Sequence, residues 1–292
     1  MKKIRLLSFI AFIFIGMGLS NSCQKNMGPP SITFVEGEGF VSQDTMLMVG
    51  DTITIGLVLD WNGQDKLKTL DVYSDDNLIR SYVIDFERGE YSFMFMKSPS
   101  EEEIWKFTLI DEKANQVSQI FRMQKDPNSI YGPIQSFGSL RMGAQNNVVT
   151  PGFFSFQGPA LYQLELAFQN QEAIDLIYYY DETDLACLAS PGANIPSAIF
   201  PGDEAPENWI TKNTTTFVKT ELTAEYFEDI FHDGMIIQHF SEEAAKRKAK
   251  NLVSGDVYIF KTESGLLGAF LVNNQEGTHD GELDISIKIA GE

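Results

Sequence analysis

The chain is poor in the residues from which metal and nucleophilic sites are usually built. Of 292 residues, two are cysteine (Cys23 and Cys187) and three are histidine (His232, His239 and His279). Two cysteines allow one disulfide at most, so no disulfide framework holds this chain together. His232 and His239 lie too far apart for a helical metal pair at i, i+4, and no His-Glu-x-x-His occurs. Nucleophile elbow, phosphate loop and dinucleotide fingerprint are also missing, so no catalytic residue, metal or cofactor is expected. Cations are scarce too: 22 Lys and Arg against 41 Asp and Glu give a formal charge of −19. Such a field repels phosphate backbones and anionic headgroups, which argues against nucleic-acid partners and unaided membrane binding.

No apolar run reaches the roughly 20 residues of a membrane-spanning helix. The longest, Leu6–Leu19, has about 14, follows Lys2, Lys3 and Arg5, and ends in small residues before Cys23. That order reads as an export signal. Two cleavage sites compete. One lies before Cys23, with Ser22 just ahead of it and a diacylglycerol on the Cys23 thiol. The other lies after Ser20, with Gly18 and Ser20 as the small pair. The first leaves Cys187 without an intramolecular partner; the second permits a Cys23–Cys187 bridge. The expectation is lipid attachment at Cys23, with residues 1–22 as signal and 23–30 as a short tether. Loss of the three signal cations takes the charge to −22. The membrane is then held through the lipid, several acyl chains at about 0.8 kcal/mol per buried CH₂.

Residues 31–125 carry a strand pattern. Ile53, Ile55, Leu57 and Leu59 alternate with Thr54, Gly56, Val58 and Asp60, as in a strand with one buried face. Further short strands follow, with turns at Asp75-Asp76-Asn77 and Asp111–Asn115, which predicts a β-sandwich. The stretches "VGDTITIGLVLDW" and "IWKFTLIDEKANQVSQIFRM" resemble immunoglobulin-like modules of bacterial surface proteins. With the lipidated start, the whole resembles an uncharacterised Bacteroidetes cell-envelope lipoprotein. That resemblance implies an N-terminal all-β immunoglobulin-like sandwich and an outer-membrane location, with the periplasmic or surface face undecided.

Residues 126–130 break the pattern, and 131–292 read as an α+β domain. Ala160–Ala173 has helical spacing. Ile174–Tyr180 reads as a buried strand, and Thr223–Ile230 as a short helix. Ser241–Leu252 looks like a longer helix, with Ser241 as cap, Glu242 and Glu243 at its start and Lys246, Arg247, Lys248 and Lys250 toward its end. The last three segments read as an antiparallel meander.

Without catalytic motifs, the expected function is a non-catalytic, lipid-anchored binding protein for a glycan or an envelope protein. A structural or adhesion role is the alternative, and a carboxylate-dependent hydrolase a more distant one. Candidate ligand contacts are Trp209, behind a proline-rich loop, with Tyr178, Tyr180 and Asp181 at a strand end; flat rings beside acceptors suit sugars. The competing reading is that these rings are core. Thr45 and Thr52, each following Asp and preceding an aliphatic residue, resemble the acceptor motif of Bacteroidetes periplasmic O-glycosylation. His232-Asp233-Gly234 and His279-Asp280-Gly281 suggest a joint site, or two ordinary turns.

Overall fold

The structure is a computed structural model and describes residues 29–61 and 65–291. The signal, Cys23 and most of the tether lie outside the described residues. The chain divides into two compact units, the second beginning at Gly132. Both are mainly β.

The first unit has eight strands: β1 (Ser31–Phe34), β2 (Thr45–Leu47), β3 (Thr52–Asp60), β4 (Leu67–Ser74), β5 (Asn77–Val83), β6 (Arg88–Met96), β7 (Glu102–Asp111) and β8 (Gln116–Lys125). They form a three-stranded sheet, β1-β3-β6, and a five-stranded sheet, β2-β8-β7-β4-β5. The two share one core, where Ile53, Ile55, Leu57 and Leu59 of β3 meet Trp105, Phe107 and Leu109 of β7. Period-two alternation puts those four β3 side chains on one face. Turn chemistry sets the hairpins. Asp75 and Asp76 both take positive φ (48° and 64°), as a two-residue hairpin turn between β4 and β5 requires. In the β7–β8 turn, Asp111 Oδ1 accepts from the backbone N–H groups of Lys113 (2.9 Å) and Asn115 (2.8 Å), and Ala114 takes φ 64°.

The second unit stacks two antiparallel five-stranded sheets. One has the order β11-β10-β12-β13-β15: β10 (Phe153–Ser155), β11 (Ala160–Tyr162), β12 (Leu176–Asp181), β13 (Leu185–Ala189) and β15 (Lys248–Ala249). The other has the order β14-β16-β17-β18-β9: β9 (Ile134–Gly143), β14 (Thr216–Lys219), β16 (Val257–Lys261), β17 (Leu267–Glu276) and β18 (Glu282–Ala290). β12, β13 and β16 are buried on both faces, so they read as nearly continuous apolar runs, whereas the edge strand β9 and its neighbour β18 carry polar residues. In β12, Tyr178 enters the core between the sheets, and Tyr179 and Ile177 enter a second core. In β16, Tyr258 and Phe260 face the central core, and Val257 and Ile259 face a third.

Three short helices cover the outer faces. α1 (Leu164–Gln169) sends Ala167 into the core outside the first sheet, where Ile195, Phe200 and Trp209 of the proline-rich loop join it. α2 (Ala224–Asp229) and α3 (Gly234–Ile237) supply Phe227, Met235 and Ile236 outside the second. Thr223 Oγ1 accepts from Tyr226 N at 3.1 Å and starts α2.

Two helix expectations are corrected. Ala160–Tyr162 is strand β11, paired with β10, and only Leu164–Gln169 is α-helical. Ser241–Leu252 is not a helix. Its segment 246–252 hydrogen-bonds to both sheets: Lys246 exchanges both backbone bonds with Phe217 (2.7 and 2.9 Å), and Arg247 O accepts from Ser190 N at 3.1 Å. Those long-range rungs outweigh local propensity. Among the described residues no helix is long and apolar enough to cross a membrane.

Candidate functional site: a basic groove at the sheet edges

β14 and β15 are the edge strands of their sheets, and they meet at a single bridge, Phe217 to Lys246. Beside that bridge is an open groove of about 590 Å³, lined by Lys219, Lys246, Arg247, Lys248 and Lys250 together with small and aromatic residues. A volume of this size lies within the range of small-molecule sites.

Two of the lining lysines are held by Asp184, whose side chain is 4 % exposed. Asp184 accepts from Lys248 Nζ at 2.8 Å and from Lys250 Nζ at 2.6 Å, and Tyr179 Oη donates to it at 2.5 Å. Burial alone pushes this carboxyl up, but the hydrogen bonds from Lys248, Lys250 and Tyr179 outweigh it and hold the pKa at about 2. The hydrogen bond to Asp184 raises the Lys250 ammonium in turn. Lys219 pairs with Asp256 at 2.9 Å, and Arg247 Nη1 donates to Gly192 O at 2.9 Å. The Lys246 side chain is exposed and makes no ion pair or hydrogen bond among the described residues.

Of the five lining cations, Lys248 and Lys250 interact with Asp184, Lys219 with Asp256, and Lys250 also with Asp181 through space. The lining of the groove carries five cations and no carboxylate, in a chain whose total is −19. Lys246-Arg247-Lys248-Ala249-Lys250 is a dense basic run, and it was legible as such. The helical reading assigned those charges to a helix end and hid the groove.

The expected ligand residues do not gather here. Trp209 is 3 % exposed, packs on Phe153 at 5.8 Å, and donates Nε1–H to Glu204 O at 2.8 Å. Tyr178 is fully buried between the sheets, and burial pushes its hydroxyl up to about 12. Both rings are core: the proline-rich loop folds down onto the outer face of its sheet and buries Trp209 there, while Tyr178 lies between the two sheets; neither offers a face to a ligand. Tyr180 and Asp181 are half-buried. Tyr180 is tied to Gln145 through its backbone N–H and C=O (3.0 and 2.7 Å), and its ring meets the edge of His279. Asp181 Oδ1 accepts from Thr183 N (2.9 Å) and Asp184 N (2.5 Å), closing the β12–β13 turn.

His232 and His279 do not form a joint site. His232 bridges Pro133, just before β9, while His279 O accepts from Asn146 N, just after it. A ten-residue strand separates them, about 30 Å at 3.3 Å per residue. Thr45 is half-buried on β2, and Thr52 is exposed at the start of β3. Cys187 is buried beside Tyr179 in the core outside the first sheet, and burial pushes its thiol up to about 12.

No protein-family model matches the chain. No curated protein matches it either. Among solved structures it is similar to a DUF4466 family protein from Parabacteroides merdae, with 12% identity over 90% of this chain and 99% of that one, at a TM-score of 0.48. It is similar as well to fibronectin(III)-like modules of Clostridium thermocellum CbhA, with 8% identity over 33% of this chain and 97% of that one, at a TM-score of 0.25. An engineered protein shares 4% identity over 33% of this chain and 20% of its own length, at a TM-score of 0.24.

Proposed function

We propose that this protein is a non-catalytic, lipid-anchored binding protein of the cell envelope, with a glycan or a protein as ligand. In this reading Cys23 carries the anchor, the first unit is an immunoglobulin-like spacer, and the mainly β second unit does the binding. The observation that carries it is the groove between β14 and β15, which concentrates cations in an otherwise acidic chain. Exposed lysines also serve to protect strand edges from pairing with other chains. A cation-lined recess with two of its lysines held by a buried carboxylate goes beyond what edge protection needs.

Two experiments test this together. The full chain is screened on a glycan array, and in-cell cross-linking searches for an envelope protein; both are repeated with Lys246→Glu. A glycan or protein captured by the parent chain and lost in the variant supports the reading. Blanks in both overturn it. The anchor is tested separately: Cys23→Ala is expected to move the protein from the membrane fraction to the soluble one. O-glycosylation at Thr45 and Thr52 is expected to add sugar mass to the peptides that span them.

A further inference from the structure

We infer that the groove beside the Phe217–Lys246 bridge takes an acidic oligosaccharide, a sugar chain bearing carboxylates or sulfates. This rests on the binding-protein reading above and specifies its ligand. Three features of the groove point to an anion. Lys246 is exposed and has no side-chain partner among the described residues. Lys248 and Lys250 line the groove and are each held by Asp184, a contact that uses only part of the three-donor capacity of each ammonium. The backbone adds a further donor. Phe217 spends both its backbone groups on Lys246, so Thr216 and Val218 are the residues of β14 that bond to β16. By the same alternation, Lys219 N–H points away from β16, toward the Ala244 side of the groove, and it meets no acceptor among the described residues.

The other ligand classes fit less well. A neutral sugar is gripped largely by exposed aromatic faces. Of the ring candidates for that role, Trp209 and Tyr178 are core and the half-buried Tyr180 meets His279 and does not line the groove, while Tyr258 in the groove wall is 4 % exposed. A nucleic acid would face the repulsion of a −19 chain along its whole length and would want stacking platforms. A protein partner needs an apolar anchor at the centre of its interface. Here Phe217 and Val218 are 2 % and 8 % exposed, so the groove presents cations and little apolar surface.

The test is calorimetric titration of the full chain with an oligogalacturonide and a heparin oligosaccharide, which separate carboxylate from sulfate. A neutral malto-oligosaccharide, oligothymidylate and a glutamate peptide are run beside them. Binding of either acidic sugar is expected, with no binding of the neutral one. Affinity is expected to fall about tenfold in Lys246→Glu, and to fall when NaCl is raised from about 50 to 300 mM. Lys68→Glu, the same charge change on an exposed residue of the first unit, is expected to leave it unchanged. Equal binding of the neutral sugar overturns the inference, as do acidic-sugar binding that survives Lys246→Glu combined with Arg247→Glu, tighter binding of oligothymidylate or the peptide, and no binding at all. A neutral-sugar or peptide ligand lost in the Lys246→Glu variant would sink the inference yet leave the binding-protein reading standing.

Discussion

At the scale of single residues, the second unit is tested first at the carboxylate that holds two lysines of the groove. Asp184 is held at about 2 by hydrogen bonds from Lys248, Lys250 and Tyr179. A carboxyl whose folded pKa lies below its unfolded value adds stability above the unfolded pKa, and that stability is lost as pH falls through the folded one. Here the window runs from about pH 4 down to about pH 2, and the contribution at neutral pH is on the order of 2 kcal/mol. Asp184→Asn is therefore expected to lower the melting temperature at pH 7 and to flatten its decline between pH 4 and 2. A melt series across that range checks it; a variant curve parallel to the parent's would show that Asp184 is not the group responsible. Cys187 offers a second check at this scale. With its thiol buried and pushed up to about 12, it is expected to resist alkylating reagents in the folded chain and to react once denatured. Mass spectrometry after timed iodoacetamide treatment reads this directly.

At the scale of elements, two buried ammonium groups set tests of opposite kinds. Lys97 Nζ meets Glu103 at 2.7 Å with both side chains nearly fully buried, and it also donates to the carbonyls of Ser98 and Ser100. This ties the end of β6 to the start of β7. Glu103→Ala leaves a buried cation without its counter-charge and is expected to cost about 3–5 kcal/mol, read by denaturant titration. Lys288 Nζ donates to the carbonyls of Phe227 (2.6 Å), Glu228 (2.7 Å) and Ile230 (2.9 Å). Those oxygens are the C-terminal carbonyls of α2, Phe227 O also accepting from Ile230 N at 3.3 Å, and a cation there caps the helix and fastens it to β18. Lys288→Met is expected to free α2 and raise hydrogen exchange across residues 224–230 while β17 and β18 stay protected. Equal exchange in variant and parent would show that the apolar contacts of Phe227 hold α2 without it. Strands were the legible part of this sequence, because a face buried on one side writes itself into alternate residues, as Ile53 to Leu59 do. The helix Thr223–Ile230 was legible as a short helix, and the structure shows Thr223 as its cap. The segment 241–252 was not, because its structure depends on Ser190 and Phe217, far away in the chain. Burial of Trp209 was equally hidden, since the fold of the loop above it, rather than its own neighbours, decides its exposure.

At the scale of the whole molecule, the decisive quantity is the mismatch between total and local charge. The chain carries −19, yet one recess carries five cations. Like charges spread over the surface repel one another in the compact state, and salt screens that repulsion once the Debye length falls to about 10 Å near 0.1 M. Added NaCl is therefore expected to stabilise the fold, raising the melting temperature by a few degrees between about 10 and 150 mM; one kcal/mol shifts a unit of this size by roughly 2–4 °C. Inside the groove the sign reverses, because there the same ions compete with an anionic ligand. One salt titration, read once by thermal melting and once by oligogalacturonide affinity, is expected to move the two observables in opposite directions. Specific ion effects at high concentration strengthen burial of any kind, so the comparison belongs below about 0.2 M, where screening dominates. A melting temperature that fell with salt would mean that the surface ion pairs, such as Lys106 with Asp76 and Lys261 with Glu242, outweigh the net repulsion. An affinity that rose with salt would mean that the groove holds its ligand by apolar contact, and the charge-based reading of the recess would fail.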